Sequence, residues 1–124
     1  MENKFQITNF KLQKYNLEDR TLKFAMRVVK FVKSLPKNIA NREIIKQLVR
    51  SAGSVGANYI EANESLGKKD FAMRIKICRK EAKESGYWLK LLEVKEKDES
   101  ERESLITEAT EFVKIFSKIL QKSK

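Results

Sequence analysis

The sequence predicts an all-α protein, an up-down-up-down antiparallel four-helix bundle. Its 124 residues include one proline and four glycines, and 35% are charged, a composition that suits long helices better than a turn-rich sandwich or barrel. Apolar residues recur at alternating steps of three and four along four segments, as they do on the buried face of a packed helix. Short connections separate these segments, so neighbouring helices should run in opposite directions.

The second predicted helix, Arg42–Leu66, is the candidate centre of the fold because three of its faces differ in character. Asn41 is its predicted N-cap. Its apolar seam comprises Ile45, Leu48, Ala52, Val55, Tyr59, Ala62 and Leu66. One flank carries Gly53 and Gly56, each at a helix-propensity cost of about 1 kcal/mol. The missing side chains predict close contact between this helix and a neighbour.

Three further helices follow from the same periodicity. Helix 1 begins at an Asn16 cap and ends near Leu35, before the single proline. Helix 3 begins at an Asp70 cap after Gly67 stops helix 2, and helix 4 runs from about Ser100 to the C-terminus. The seams are Phe24, Val28, Phe31 and Leu35 in helix 1, Phe71, Ile75, Cys78, Ala82, Ser85, Leu89 and Leu92 in helix 3, and Leu105, Ala109, Phe112, Phe116 and Ile119 in helix 4.

The length suits one bundle domain over residues 16–124, preceded by an N-terminal arm of residues 1–15. The arm has neither the length nor the caps expected of a helix of its own. Its apolar residues are Phe5, Ile7, Phe10, Leu12 and Tyr15. An arm this apolar should pack on its own bundle or on a neighbouring subunit, and both possibilities stay open.

The N-terminus lacks the apolar core of a signal peptide, and no run of 18 apolar residues occurs in the chain. We therefore expect a cytoplasmic protein. The single cysteine, Cys78, lies on an apolar seam and has no partner for an internal disulfide. It is interpreted as a buried structural thiol.

Four segments carry a resemblance to a known family. They are NLEDRTLKFA at Asn16–Ala25, RSAGSVGANYIEA at Arg50–Ala62, KKDF at Lys68–Phe71 and KEAKESGYWLKLL at Lys80–Leu92. Over about Asn16–Leu120 the chain resembles the four-helix-bundle proteins called 23S rRNA intervening-sequence proteins. The family is similar to the accessory proteins of diversity-generating retroelements, which bind a reverse transcriptase and nucleic acid through basic surfaces. The resemblance implies a left-handed bundle that assembles into a ring-like homopentamer.

Six polar residues match the family pattern most plainly: Arg50, Ser54, Asn58, Glu61, Glu81 and Glu84. We interpret them as a helix-packing network, in which a carboxylate near a seam pairs with Arg50 or Asn58 and fixes the helix register. The alternative is a site where Glu61, Glu81 and Glu84 bind a hard cation through oxygen.

Enzymatic and metal chemistry have little support in the residue inventory. The chain has no histidine and one cysteine, so it lacks the ligands of a di-iron or zinc site and the usual Ser-His and Cys-His nucleophile pairs. No phosphate-binding loop of the Gly-x-x-x-x-Gly-Lys type occurs. We therefore predict no catalytic residues, no metal, no cofactor and no enzymatic activity.

Charge is the remaining functional signal. The net charge is +10, and residues 93–111 hold eight acids and three bases, so this segment carries −5 and the rest of the chain +15. Two basic stripes are predicted to contact phosphates: Arg20, Lys23, Arg27 and Lys30 on helix 1, and Lys76, Arg79, Lys83 and Lys90 on helix 3. A solvated helix face explains any one stripe, including Lys114 and Lys118. We expect no aromatic residues to interleave with these stripes, which argues against base stacking and sequence readout.

These features predict a non-enzymatic, basic, homo-oligomeric bundle that binds nucleic acid, with RNA favoured, nonspecifically or as an accessory to another protein. Self-association is also predicted by apolar residues on second helix flanks, among them Val29, Val49 and Ile60. The alternative is an oligomeric scaffold whose positive charge serves an acidic protein partner and which does not bind nucleic acid.

Overall fold

The computed structural model describes the backbone of residues 2–123 and the side chains of residues 17–123. Four long helices account for nearly all of this range, and no strand occurs within it. The helices are α1 (Glu2–Val32), α2 (Ile39–Asn63), α3 (Lys68–Leu91) and α4 (Glu99–Lys122), and a single 3₁₀ turn (Glu96–Asp98) precedes α4. The predicted all-α class is confirmed. No described helix is long and apolar enough to cross a membrane.

Each helix packs against its neighbour in the chain, and α1 also packs against α4, so the four helices close into a bundle. The paired positions run in opposite directions. On α2 and α3, Asn58 meets Arg74 and Ser51 meets Ser85. On α1 and α4, Arg20 meets Glu108 and Arg27 meets Glu101. Neighbouring helices are therefore antiparallel.

The core lies where the apolar seams of the four helices meet. Its largest fully buried side chains include Phe24 and Phe112, whose rings meet edge to face with centroids 5.5 Å apart. Nearly all predicted seam positions are buried. The exceptions are Ile45, Phe71 and Ile119, which are partly buried, and Leu66, which is fully exposed.

Helix α1 begins far earlier than predicted, because its backbone is helical from Glu2 onward. Asn16 is therefore not an N-cap. Residues 2–16 contain no glycine or proline to interrupt the helix, and extending an existing helix costs much less than nucleating a new one. The apolar side chains of the predicted arm lie outside the described residues, and where they pack stays a prediction.

The predicted N-cap of α2, Asn41, is wrong, because the helix begins earlier and an asparagine three residues before it is the cap. The cap is Asn38, whose side-chain oxygen accepts a hydrogen bond from the backbone N–H of Asn41 at 2.9 Å. Asn41 is buried instead. Its Nδ2 donates to the carbonyl oxygens of Pro36 and Glu93, and its Oδ1 accepts from the backbone N–H of Glu93 at 2.9 Å. The Asn41 side chain thus ties the α1–α2 connection to the end of α3.

The connection between α2 and α3 also differs from the prediction. Helix α2 ends at Asn63 with Glu64 as its C-cap, which leaves Leu66 in the loop and explains its exposure. Gly67 is the N-cap of α3 and has an extended backbone, so it does not stop α2 in a left-handed conformation. Asp70 is not the N-cap but lies in the first turn of α3, where its carboxylate interacts favourably with the positive end of the helix dipole.

The two glycines on the flank of α2 have different surroundings. A Cβ added at Gly56 would lie 2.9 Å from Thr21 Oγ1 and 3.2 Å from Thr21 Cβ, so α1 and α2 approach closely here. Thr21 is buried, and its hydroxyl donates to the carbonyl oxygen of Leu17 at 2.8 Å. A Cβ added at Gly53 would meet nothing within 4 Å. The predicted close contact is confirmed at Gly56 and wrong within this chain at Gly53.

Cys78 of α3 is fully buried in the core. Loss of water around the sulfur raises the pKa of the Cys78 thiol to about 12, and an electron-rich thiolate is therefore scarce at neutral pH. The interpretation as a buried structural thiol is confirmed.

The two glycines supply a matched test of the close approach between α1 and α2. We expect Gly56→Ala to lower the free energy of unfolding by up to about 2 kcal/mol, because overpacking against Thr21 outweighs the gain in helix propensity. Gly53→Ala should raise it by up to about 1 kcal/mol, since its new methyl meets only open space. Urea denaturation followed by circular dichroism measures both. Equal changes in the two variants would contradict the close contact at Gly56.

Candidate nucleic-acid interface

Arg20 belongs to the basic stripe predicted on helix 1, and its side chain is turned toward α4. Its Nε donates to Glu108 Oε2 at 2.8 Å and its Nη2 donates to Glu108 Oε1 at 2.7 Å. The guanidinium also lies over the ring of Phe112, 5.3 Å from the centroid. The hydrogen bonds with Glu108 are the main reason why the pKa of Arg20 is raised above its usual value. Arg20 therefore forms a bidentate ion pair with α4.

Arg27, two turns further along α1, makes the same kind of contact. Its Nη2 donates to Glu101 Oε1 at 3.0 Å and to Ser104 Oγ at 2.9 Å, and its Nε donates to Glu101 Oε2 at 3.3 Å. Lys23 pairs with Asp19 on its own helix at 2.9 Å, whereas Lys30 makes no ion pair with a side chain of residues 17–123. To bind a phosphate, Arg20 and Arg27 would have to exchange a carboxylate for it.

The basic stripe predicted on helix 3 has a different environment. Lys76, Lys83 and Lys90 recur every seven residues on one side of α3 and are exposed, and Arg79 beside them is partly buried. None of the four makes an ion pair within the described part of the chain. Glu101 and Glu108 of α4 are turned toward α1 instead. Positive charge on this side of α3 is therefore left uncompensated.

A shallow groove of about 380 Å³ runs between α3 and α4 next to these lysines. Small residues open it: a Cβ added at Gly86 would lie 3.9 Å from the Cβ of Ala109. The residues that line the groove are Ala82, Lys83, Gly86, Tyr87, Lys90, Ile106, Ala109, Thr110 and Val113. Its sides thus combine apolar surface with two lysine side chains.

Tyr87 lies on the rim of this groove, and 59% of its surface is exposed. It follows Lys83 by four residues and precedes Lys90 by three, so the three side chains share one helix side. The expectation that no aromatic residue interleaves with the basic stripes is therefore wrong for α3. The i, i+4, i+7 spacing of Lys83, Tyr87 and Lys90 was the sequence signal that could have revealed it.

The family-pattern residues lie mainly along the contact between α2 and α3. Arg50 Nη1 is 3.5 Å from Glu81 Oε2, and Arg50 Nη2 is 3.3 Å from Glu84 Oε1. These are long contacts, and the second carboxylate oxygen of the buried Glu81 has no hydrogen-bond partner. A buried ion pair is weak evidence for stability, and the role of these pairs in fixing the helix register stays a prediction.

The rest of the family pattern divides between contacts within α2 and contacts across to α3. Asn58 Oδ1 accepts from Arg74 Nη1 at 3.1 Å, whereas the hydroxyl of Ser54 donates to the Arg50 carbonyl oxygen of its own helix. Glu61 is exposed and apart from this network. A fully buried hydrogen bond that the sequence did not predict joins Ser85 Oγ to Ser51 Oγ at 3.0 Å. Hydroxyl and amide contacts therefore add to the ion pairs between α2 and α3.

The cation site considered for Glu61, Glu81 and Glu84 does not form. Among the described residues, no group of three or more His, Cys, Asp or Glu side chains is placed so that it could hold a metal ion.

Lys114 and Lys118 are exposed on α4. The arrangement therefore offers surface cations and a groove, and the phosphate-binding role of both stripes stays a prediction.

Comparison with known proteins matches the chain to a protein family and to solved structures. The family model described as 23S rRNA-intervening sequence protein matches residues 13–118. The chain is also similar to a crystal structure of a protein with unknown function from the S23 ribosomal protein family of Bacteroides thetaiotaomicron. The two share 31% sequence identity with a TM-score of 0.73, over 87% of this chain and 97% of that one. A search of curated proteins finds no match.

The ion pair between Arg20 and Glu108 can be tested with a double-mutant cycle of Arg20→Ala and Glu108→Ala. We expect a coupling energy of about 1 kcal/mol, because two charge-assisted hydrogen bonds are partly offset by solvent screening. The control is the cycle of Lys23→Ala and Asp19→Ala, whose more exposed pair should couple by less than about 0.5 kcal/mol. Equal coupling energies, measured by urea denaturation, would contradict a special role for Arg20 in joining α1 to α4.

Proposed function

The chain belongs to the 23S rRNA-intervening sequence protein family. We propose that it is a non-enzymatic, homo-oligomeric four-helix bundle that binds nucleic acid through phosphate contacts. The observation that carries the proposal is the uncompensated positive charge of Lys76, Arg79, Lys83 and Lys90. Cations without a carboxylate partner can release the counterions of a polyanion without first breaking an internal ion pair. Phosphate contacts of this kind position a nucleic acid but do not read its sequence.

The distribution of charge supports the same ligand class. Two acids of residues 93–111, Glu101 and Glu108, pair with α1, and none of this segment pairs with the four cations of the α3 stripe. An excess of +15 on the rest of the chain would attract a polyanion over distances of about 10 Å at 0.1 M salt. RNA is the first ligand to test, because the family description refers to intervening sequences of 23S rRNA. An accessory role beside another nucleic-acid-binding protein, as in the retroelement proteins that the family resembles, belongs to the same proposal.

Self-association is proposed from the outer face of α1 and α2. Leu22 and Met26 are 57% and 61% exposed, and Val29 continues their row one turn further along α1. On α2, Val49 and Ile60 are also exposed. Apolar surface on two neighbouring helices is typical of a contact between subunits. The ring of five subunits is implied by the family resemblance alone.

The groove supports a second candidate function, an oligomeric scaffold that binds an acidic protein. Ile106 and Val113 offer apolar surface beneath Lys83 and Lys90, and an amphipathic helix with acidic flanks would match that combination. This candidate differs from the first in one measurable respect. A pure scaffold would bind no RNA, single-stranded DNA or duplex.

Binding is tested by fluorescence anisotropy with labelled single-stranded RNA over a series of salt concentrations. The double variant Lys83→Glu, Lys90→Glu should weaken binding at least about tenfold at 0.1 M salt and flatten the log-log salt slope by about 1.4, from two lost phosphate contacts. The control Arg42→Glu, Lys46→Glu makes the same charge change at two exposed positions of α2 that do not line the groove between α3 and α4. Equal losses in both variants would mean that only net charge matters, and no binding by the intact protein would refute nucleic-acid binding.

Self-association is tested by multi-angle light scattering at micromolar concentrations. We expect an oligomer, and the double variant Leu22→Glu, Met26→Glu should dissociate it because buried carboxylates would have no partners. The control is Leu66→Glu, which alters a fully exposed leucine of the α2–α3 loop and should leave the mass unchanged. A monomeric intact protein would contradict the oligomer, whereas a mass other than five subunits would contradict only the number.

A further inference from the structure

Tyr87 is the one exposed aromatic side chain among residues 17–123. The other large aromatic rings of this range are buried in the core or, like Phe71 and Trp88, partly buried against it. A ring that is 59% exposed leaves apolar surface in water. Tyr87 lies on the lysine-rich side of α3, so this apolar surface is available to a ligand that the lysines bind.

Lys83 and Lys90 flank Tyr87 along the axis of α3. At a rise of about 1.5 Å per residue, the two lysines lie about 6 Å before and about 4.5 Å after the tyrosine along the axis. Both line the groove between α3 and α4, and neither pairs with a described carboxylate. Two cations thus stand on either side of one exposed ring.

The ring of Tyr87 is supported from one side. The ring of Trp88 meets it edge to face, with centroids 5.0 Å apart and an angle of 77° between the planes. Trp88 is itself packed against the core, so this contact restricts the movement of Tyr87. A restricted ring loses less conformational entropy when a second ring stacks on it.

We propose that Tyr87 stacks against an unpaired base of a single-stranded nucleic acid while Lys83 and Lys90 contact the phosphates on either side of that base. This site depends on the proposed function and adds a base-stacking side chain to its phosphate contacts. Every base has an aromatic face, so stacking accepts any sequence, as phosphate contacts also do. The bases of a duplex are already stacked and paired, so they cannot reach the ring. The site therefore favours single strands over duplexes, and favours them through Tyr87.

The test compares Tyr87→Leu, which keeps an apolar side chain, with Tyr87→Phe, which keeps the ring. Fluorescence anisotropy measures their binding to single-stranded oligouridylate and oligoadenylate and to an RNA duplex of equal length. Tyr87→Leu should weaken single-strand binding about 5- to 150-fold, whereas Tyr87→Phe should bind like the intact protein. Duplex affinity should be the same in all three proteins. The control Leu91→Ala removes another exposed apolar side chain of α3 and should change neither affinity.

The salt dependence separates stacking from phosphate contact. Tyr87→Leu should keep the salt slope of the intact protein, because it removes no cation, whereas Lys83→Glu, Lys90→Glu should flatten it. Unchanged single-strand binding by Tyr87→Leu would overturn the stacking site while leaving the proposed function intact. An equal loss of single-strand and duplex binding would overturn it too, because it would mean that Tyr87 acts through the fold. If the intact protein binds polyglutamate and no nucleic acid, the proposed function fails together with the site.

Discussion

The ion pairs between α1 and α4 fix which side of α4 faces each neighbouring helix. Arg20 and Arg27 each pair with a carboxylate of α4, and the ring of Phe112 lies beneath the first of them. These contacts close the bundle between its first and last helices. The two carboxylates lie on the α1 side of α4, whereas the α4 residues that line the groove with α3 are all uncharged. The lysines of α3 therefore face no carboxylate of α4, and the candidate interface follows from how the bundle closes.

The positions of the buried residues were predictable from the sequence because burial repeats with the period of the helix. The seams of all four helices were assigned in this way, and only Leu66 among them is fully exposed. Helix ends were harder, because they depend on contacts distant in sequence. Asn38 and Asn41 are equally good caps when considered alone, and only the approach of Glu93 explains why the second is buried. The early start of α1 reflects propagation of an existing helix, which local capping signals do not encode.

The candidate site was predictable as a set of basic helix faces, but the partners of those faces were not. Periodicity places Arg20 and Lys83 on the edges of their helices, yet it does not say that α4 presents a carboxylate to the first and an apolar groove to the second. Tyr87 lies between Lys83 and Lys90 in the sequence, but only the i, i+4, i+7 spacing of the three residues places it on the helix side of the lysines. The small residues Gly86 and Ala109, which open the groove, become informative only when α3 and α4 are seen together.

Photo-crosslinking to single-stranded RNA that contains 4-thiouridine tests most directly whether the basic side of α3 binds single-stranded nucleic acid. Trypsin cleaves after Lys83 and Lys90, so residues 84–90 form one peptide that contains Tyr87 and no lysine before its end. We expect mass spectrometry to find the crosslinked nucleotide on Tyr87 or its neighbours in this peptide. Crosslinks confined to α1 or α2, with residues 84–90 unmodified, would contradict it.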